Sequence, residues 1–123
     1  MMNIAELKNF EDALQARARE LLRSQAERRH IVVERSADAL DGTLQAADRE
    51  RSAQTLAEDF RRLRHVEAAL ARIRSGDFGI CQSCDQRIPL RRLQAVPWAA
   101  LCVSCQEKEE ERRAFRPALA RAA

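Results

Sequence analysis

Apolar positions recur with the period of an amphipathic helix over the first third of the chain. From Asn3 to about Ala37 almost every residue is a good helix former. Most of the apolar positions lie three, four or seven residues apart, and they are Leu7, Phe10, Leu14, Leu21, Leu22, Ala26 and Val33. This spacing predicts one long helix.

A second amphipathic segment extends from about Leu44 to Ser75. Its apolar positions form a heptad seam, which consists of Leu56, Leu63, Val66, Leu70 and Ile73. A heptad seam is typical of a helix that packs lengthwise against another helix. The segment therefore predicts a second long helix with one buried face.

A turn separates the two predicted helices. Over residues 36–43 the apolar pattern lapses, Asp38 and Asp41 favour turns, and Gly42 tolerates a positive φ. We therefore expect an antiparallel helical hairpin, a coiled coil over residues 1–75 with its tip near residues 38–43. Two carboxylates at this tip are also ordinary turn residues, so they carry little information alone.

The hairpin can be checked through its register. A turn centred near Asp41 places opposite each other residues whose numbers sum to about 83. The resulting pairs are all apolar, and they are Phe10 with Ile73, Leu14 with Leu70, Leu21 with Leu63, and Ala26 with Leu56. This agreement favours a hairpin over two separate helices. A helix of this length extends roughly 50 Å, so we expect a rod.

The strongest chemical signal is a pair of cysteine knuckles in the second half. Cys81-Gln-Ser-Cys84 and Cys102-Val-Ser-Cys105 are separated by seventeen residues, a spacing typical of zinc sites. Four thiolates fill a tetrahedron around zinc and leave no position for a catalytic water. We expect one Zn²⁺ per chain in a structural role. A redox pair or four unrelated buried thiols are the alternatives.

Glycine and proline mark the boundary between the two halves. Residues 1–75 contain no proline and one glycine, whereas all three prolines and two glycines follow. We therefore divide the chain into a hairpin over 1–75, a four-cysteine zinc finger with a C-terminal helix over 76–116, and a frayed tail over 117–123. The C-terminal helix is expected to stop before Pro117. The fold class is mainly α, with a small globular end.

Composition narrows the function. The 123 residues carry 22 Lys and Arg against 19 Asp and Glu, a net charge of +3, and only 4% are aromatic. This balance disfavours a polybasic tail and a base-stacking surface. No apolar run approaches a membrane-spanning length, so we expect a cytoplasmic chain that binds no membrane. There is no nucleophile beside a base and no phosphate loop, so we expect no enzymatic activity.

The cysteine half resembles the DksA/TraR family of bacterial transcription regulators. The pattern is DFG-x-C-x-x-C, then I-x-x-x-R-L-x-A-x-P, then L-C-x-x-C. It is carried by Asp77, Phe78, Gly79, Cys81, Cys84, Ile88, Arg92, Leu93, Ala95, Pro97, Leu101, Cys102 and Cys105. The resemblance is dense over residues 66–105 and continues back to the tip.

The resemblance implies a protein that binds RNA polymerase, with the coiled coil in the secondary channel and the acidic tip modulating promoter complexes. The family tip motif D-x-x-D-x-A reads here Asp38-Ala-Leu-Asp41-Gly-Thr43, so both carboxylates are kept and Thr43 replaces the alanine. Arg91 and Arg92 follow the first knuckle, where they either balance the negative charge of a four-thiolate zinc site or contact a partner, because arginine suits planar carboxylates and phosphates.

Guanosine tetraphosphate is bound in responsive family members by basic residues of the hairpin base and the zinc finger. The corresponding positions here are His65, Val96 and Gln106. These side chains make a poor polyphosphate site, so we expect weak or absent synergy with the nucleotide.

Two other functions remain open from the sequence. A zinc-finger module could bind nucleic acid directly, which the twenty arginines favour and the near-neutral balance disfavours. Alternatively, the hairpin could be an adaptor for another helical protein, without a transcriptional role. We expect a monomer that binds no specific nucleic-acid sequence.

Overall fold

The protein is mainly helical, as the sequence predicts. The computed structural model describes residues 2–40 and 46–122, without the side chains of Val32, residues 35–40 and residues 116–122. The helices are α1 (Ile4–Leu40), α2 (Ala46–Ser75), α3 (Leu90–Ala95) and α4 (Val103–Ala122). An antiparallel bridge joins Ile80 to Arg87 ahead of α3. The helices α1 and α2 form a long antiparallel pair, and the zinc-finger segment lies at the end where α1 begins and α2 ends.

A reciprocal cap starts α1. The Asn3 Oδ1 accepts a hydrogen bond from the Glu6 backbone N–H at 2.8 Å, and the Asn3 N–H donates to Glu6 Oε2 at 3.1 Å. This capping box satisfies two backbone donors that a helix start leaves free. It accounts for the predicted start of the helix at this point.

The two long helices bury a shared apolar seam. Leu14 and Leu21 of α1 lie in the same core cluster as Leu63, Val66 and Ala69 of α2. Apolar burial of this kind drives helices together along their whole length. The expected antiparallel pair is confirmed. Leu22 and Val33, two of the apolar positions predicted for the first helix, are instead largely exposed.

The seam changes character toward the tip. Ala26, predicted to face Leu56, is exposed, and Gln25 is buried in its place with 5% of its surface accessible. The prediction for Ala26 is wrong because Leu14, Ala18, Leu21 and Gln25 follow the strict four-three-four spacing of one helix face. Ala26 lies one residue, about 100°, off that face.

The first helix extends a few residues beyond its predicted end near the tip. The first helix continues to Leu40 instead of ending near Ala37, and the second is described from Ala46, with its predicted start at Leu44 outside the described residues. Alanine and leucine at positions 37, 39 and 40 are strong helix formers, which explains the extension. Asp38 thus lies in the last turn of α1, and Asp41 and Thr43 lie outside the described residues.

A glycine ends α2 and directs the chain into the zinc finger. Gly76 has φ of +83°, the Asp77 N–H donates to the Arg72 carbonyl at 2.9 Å, and the Gly76 N–H donates to Ile73 O. This is a Schellman motif, which requires a left-handed residue directly after the helix.

The junction between hairpin and zinc finger is apolar. The rings of Phe10 and Phe78 pack at 5.3 Å between centroids, and Ile88 and Leu93 are buried. These contacts join the apolar residues of the zinc finger to the hairpin core. Leu90, the first residue of α3, is 43% exposed.

The C-terminal helix is longer than predicted. It runs from Val103 to Ala122 and continues across Pro117, so its predicted end before this proline is wrong. A proline inside a helix removes one backbone donor and crowds the carbonyl four residues earlier. Residues 118–122 are alanine, leucine and arginine, which favour helix on the far side. The fraying of residues 117–123 stays a prediction.

Within the described part of the chain, no helix is both long enough and apolar enough to span a membrane.

Candidate metal centre

The first cysteine knuckle lies in a tight turn of the backbone. The Cys81 N–H donates to Gln86 O at 2.8 Å, and the Ile88 N–H donates to Gly79 O at 2.8 Å. Asp85 closes the turn with its N–H on Cys81 O at 2.9 Å and a φ of 61°. Asp tolerates this left-handed conformation better than most residues. The turn therefore presents both cysteine side chains on one side.

The second knuckle lies at the start of α4. The Gln106 N–H donates to Cys102 O at 2.9 Å, so Cys102 occupies the cap position and Cys105 the first turn. A helix start carries a partial positive charge that favours thiolates. Both cysteines of this knuckle are half-buried.

The four sulfur atoms form one cluster. The Sγ atoms of Cys81, Cys84, Cys102 and Cys105 all lie within 4.8 Å of one another, and those of Cys84 and Cys102 are 3.9 Å apart. The edge of a zinc–thiolate tetrahedron is about 3.8 Å, from a Zn–S bond of about 2.3 Å. The donor set and its spacing fit Zn²⁺, and these four cysteines are the residues that would hold one zinc ion.

The protonation of the cluster also suits a cation. Burial would raise the pKa of Cys81, but the backbone N–H groups around it outweigh burial and lower that pKa to about 6. The neighbouring Cys102 sulfur, and then burial, raise the pKa of Cys105 to about 12. Crowded thiolates repel one another, and a bound dication removes that repulsion. A dication at this cluster would therefore favour the thiolate form of the cysteines.

The two predicted partner arginines have different surroundings. Arg91 is exposed on α3. Arg92 is half-buried, and its Nε donates to the Leu101 carbonyl at 3.0 Å, next to Cys102. Arg92 thus has a structural contact beside the metal centre, and contact of either arginine with a partner stays a prediction.

Sequence reasoning missed a buried arginine next to the metal centre. Arg72 is 8% exposed, and its Nη2 donates to the carbonyls of Trp98 at 3.2 Å and Ala99 at 3.4 Å. It lies between the seam positions Leu70 and Ile73, so the heptad pattern gives no signal for its burial. Both of its hydrogen-bond acceptors lie in the zinc-finger segment.

A polar layer in the middle of the hairpin was also missed. Asp59 of α2 is buried, with Arg28 Nε 2.8 Å from its Oδ2 and an Arg62 nitrogen 3.5 Å from its Oδ1. Gln25 of α1 is buried in the same interface. The signal was available in the sequence, because Asp59 falls four residues before Leu63 on the heptad seam.

The predicted functional tip consists of Asp38, Asp41 and Thr43. The Asp38 side chain, Asp41 and Thr43 all lie outside the described residues. Their proximity to one another stays a prediction from the sequence.

Comparison with known proteins gives concordant matches. Residues 76–111 match the prokaryotic dksA/traR C4-type zinc finger. The RNA polymerase-binding transcription factor DksA of Salmonella typhimurium is 31% identical over 122 residues, which cover 90% of this chain and 76% of that protein. An uncharacterized protein of Aquifex aeolicus is 44% identical over 48 residues, 39% of this chain and 33% of that protein.

A solved structure shares the architecture. The chain is similar to the transcription factor DksA2 from Pseudomonas aeruginosa, with a TM-score of 0.74 and 26% identity over 90% of this chain and 88% of that one. The similarity therefore extends over the hairpin and the zinc finger together.

Proposed function

The chain belongs to the DksA/TraR family, and on that premise we propose that it is a transcription regulator that binds RNA polymerase. The supporting observation is the match over 90% of the chain to a relative named for polymerase binding. DksA-family transcription factors are not enzymes, and the closed four-cysteine zinc site is structural. The activity of this chain therefore lies in what its surfaces bind.

The elongated shape supports action at a distance from the docking site. The helix α2 has 30 residues and so extends about 45 Å. A rod of this length can enter a channel while the zinc finger stays at its entrance. We propose that the hairpin enters the secondary channel of polymerase and that Asp38 and Asp41 act near its catalytic centre to modulate promoter complexes.

Direct binding to nucleic acid is less well supported. A nucleic-acid surface needs a continuous row of free cations. Midway along the hairpin, Arg28 and Arg62 lie against the Asp59 carboxylate, and Arg29 lies over the Phe60 ring with 4.9 Å from Cζ to the centroid. These contacts engage three of the basic side chains that would form such a row.

A response to guanosine tetraphosphate is also poorly supported. His65 is exposed and Val96 is half-buried. The Gln106 Nε2 donates to Glu110 Oε1 at 3.2 Å, which places a carboxylate beside the position where a phosphate would need a cation. We propose that this chain acts with weak or absent nucleotide synergy.

Competition binding tests the proposal. The zinc-loaded chain, labelled on a ketone-bearing amino acid at an exposed position, is titrated with purified RNA polymerase and then displaced with unlabelled Salmonella typhimurium DksA. We expect saturable binding and full displacement, because the two proteins would share one site. A parallel titration with duplex DNA should show no comparable affinity. Binding to DNA without binding to polymerase would favour the zinc-finger module, and binding to neither would favour the adaptor.

A further inference from the structure

Four successive carbonyls ahead of the second knuckle are all hydrogen-bonded to other parts of the chain. Arg72 of α2 donates to Trp98 O and Ala99 O. The Gln82 N–H of the first knuckle donates to Ala100 O at 2.9 Å, and Arg92 of α3 donates to Leu101 O. The segment 98–101 is thus the place where hairpin, first knuckle, α3 and second knuckle meet.

Arg72 is the hairpin's polar connection to this segment. Among the ion pairs of the described residues none involves Arg72, so its buried guanidinium relies on carbonyl oxygens. Its burial lowers its pKa, which reflects the cost of removing this cation from water. A buried charge without a carboxylate is expensive, and an apolar side chain would pack there at lower cost. Packing alone therefore does not explain an arginine at this position.

Hydrogen bonds constrain the relative orientation of two parts of a protein more strongly than apolar packing does. The aromatic contact of Phe10 with Phe78 holds the two parts together, but apolar contacts tolerate sliding and small rotations. One guanidinium nitrogen held between two neighbouring carbonyls constrains both distance and direction. We propose that Arg72 is a positioning residue that fixes the direction of the hairpin relative to the zinc finger.

The length of the hairpin makes this constraint on direction important. Arg72 is 26 residues from the distal start of α2 at Ala46, about 39 Å along the helix. A change of about 10° at Arg72 would therefore move the distal end of the hairpin by about 7 Å. A displacement of that size exceeds the reach of any direct contact at the tip. The functional consequence rests on the proposed function, whereas the fixed direction itself does not.

Pulsed electron spin resonance tests the fixed direction in the full, zinc-loaded chain. Spin labels are attached to ketone-bearing amino acids at positions 49 and 94, whose native Arg49 and Gln94 are exposed on α2 and α3. Labels of this kind leave the four cysteines to the metal. The variant is Arg72→Met, and the matched control is Arg74→Met, which removes an exposed arginine two residues further along the same helix.

We expect a narrow distance distribution for the unsubstituted chain and for Arg74→Met. For Arg72→Met we expect a distribution at least twice as wide, with helix content and one zinc per chain retained. An Arg72→Met distribution as narrow as the control would overturn the proposal. If Arg72→Met loses zinc or helix content, the same distance measurement is made on Arg72→Gln. The glutamine amide nitrogen ends two atoms short of the Nη2 position and so cannot replace its hydrogen bonds. A wide distribution supports the proposal and a narrow one overturns it.

A second measurement, with RNA polymerase, separates this inference from the proposed function. With polymerase, Arg72→Gln should keep affinity within a few-fold yet reduce the maximal effect on promoter-complex lifetime at saturation. An equal loss of affinity and effect would contradict a positioning role. If the unsubstituted chain does not bind polymerase, the proposed function fails, and the spin-label distances still decide the role of Arg72.

Discussion

Arg28 and Asp59 form an ion pair inside the helical hairpin, with Arg28 Nε 2.8 Å from Asp59 Oδ2. The Asp59 side chain is 4% exposed, whereas that of Arg28 is 43% exposed and reaches solvent. The two atoms are close, but their geometry is not that of a hydrogen bond, so Asp59 Oδ2 has no hydrogen-bond partner. The buried Gln25 Nε2 has no hydrogen-bond partner either. The apolar seam is therefore interrupted by a polar layer that is only partly satisfied.

Removing the arginine should destabilise the hairpin. We expect Arg28→Ala to lower the free energy of unfolding by about 1–3 kcal/mol, because it leaves a buried carboxylate with only the more distant Arg62. Urea unfolding followed by circular dichroism measures this change. Arg29→Ala is the control, and its cost should stay below about 1 kcal/mol because its contact with Phe60 is at the surface. Equal costs for the two variants would show that Asp59 does not depend on Arg28.

Replacing both buried polar residues, Gln25 and Asp59, should stabilise the hairpin. We expect the double variant Gln25→Leu with Asp59→Leu to raise the free energy of unfolding by about 1–4 kcal/mol, since apolar side chains commonly outperform a partly satisfied buried pair. Thermal and urea unfolding of the double variant measure the gain. A loss of stability would mean that the layer is better satisfied in solution than its contacts indicate.

The zinc finger should depend on its metal more than the hairpin does. Elemental analysis of protein purified without added metal should give close to one zinc per chain. Removing zinc with a chelator, or replacing Cys102 with serine, should unfold the zinc finger, because a core this small is stabilised by its metal. Much of the helix signal should remain, since α1 and α2 share their own apolar seam. Unchanged thermal stability after complete zinc removal would refute this dependence.

The tip variants separate binding from activity. Asp41→Asn keeps turn propensity and removes one charge, so we expect polymerase affinity within a few-fold and loss of most of the effect on promoter-complex lifetime. Asp38→Asn should act in the same direction, more mildly. Competition binding and promoter-complex decay on the same proteins measure both quantities. A parallel loss of affinity would make the tip a docking element, and no loss of either would favour the adaptor.

The nucleotide response should be weak. Transcription with purified polymerase, with and without guanosine tetraphosphate, should show little added effect because His65, Val96 and Gln106 offer no fixed cation. Restoring basic side chains with Val96→Arg and Gln106→Lys should increase the response, since both add charges suited to phosphate. A large response of the unsubstituted chain would mean that other arginines bind the nucleotide.

Arg91 is a better position than Arg92 for testing partner contact at α3. Arg92→Ala would remove the hydrogen bond to Leu101 O as well as any contact with polymerase. Arg91 is exposed, so Arg91→Ala is the cleaner substitution for measuring a docking contribution.

Local sequence alone determined the two long helices and indicated the four-cysteine cluster. Helical periodicity is set by neighbours three and four residues apart, so the hairpin and most of its apolar seam could be predicted from Leu14, Leu21 and Leu63. The two Cys-x-x-C knuckles likewise identify a zinc site by spacing, because each pair of thiolates converges within one turn. These features depend on residues close together along the chain.

The tertiary structure decided which polar groups are buried. Gln25 takes the core position predicted for Ala26, and Asp59 pairs with Arg28 on the opposite helix. Buried Arg72 finds its hydrogen-bond acceptors in the zinc-finger segment. Burial of a polar side chain depends on what another part of the chain places against it, and no local pattern contains that information. The same holds for Arg92, whose partner carbonyl lies nine residues further along and is brought close only by the folded zinc finger.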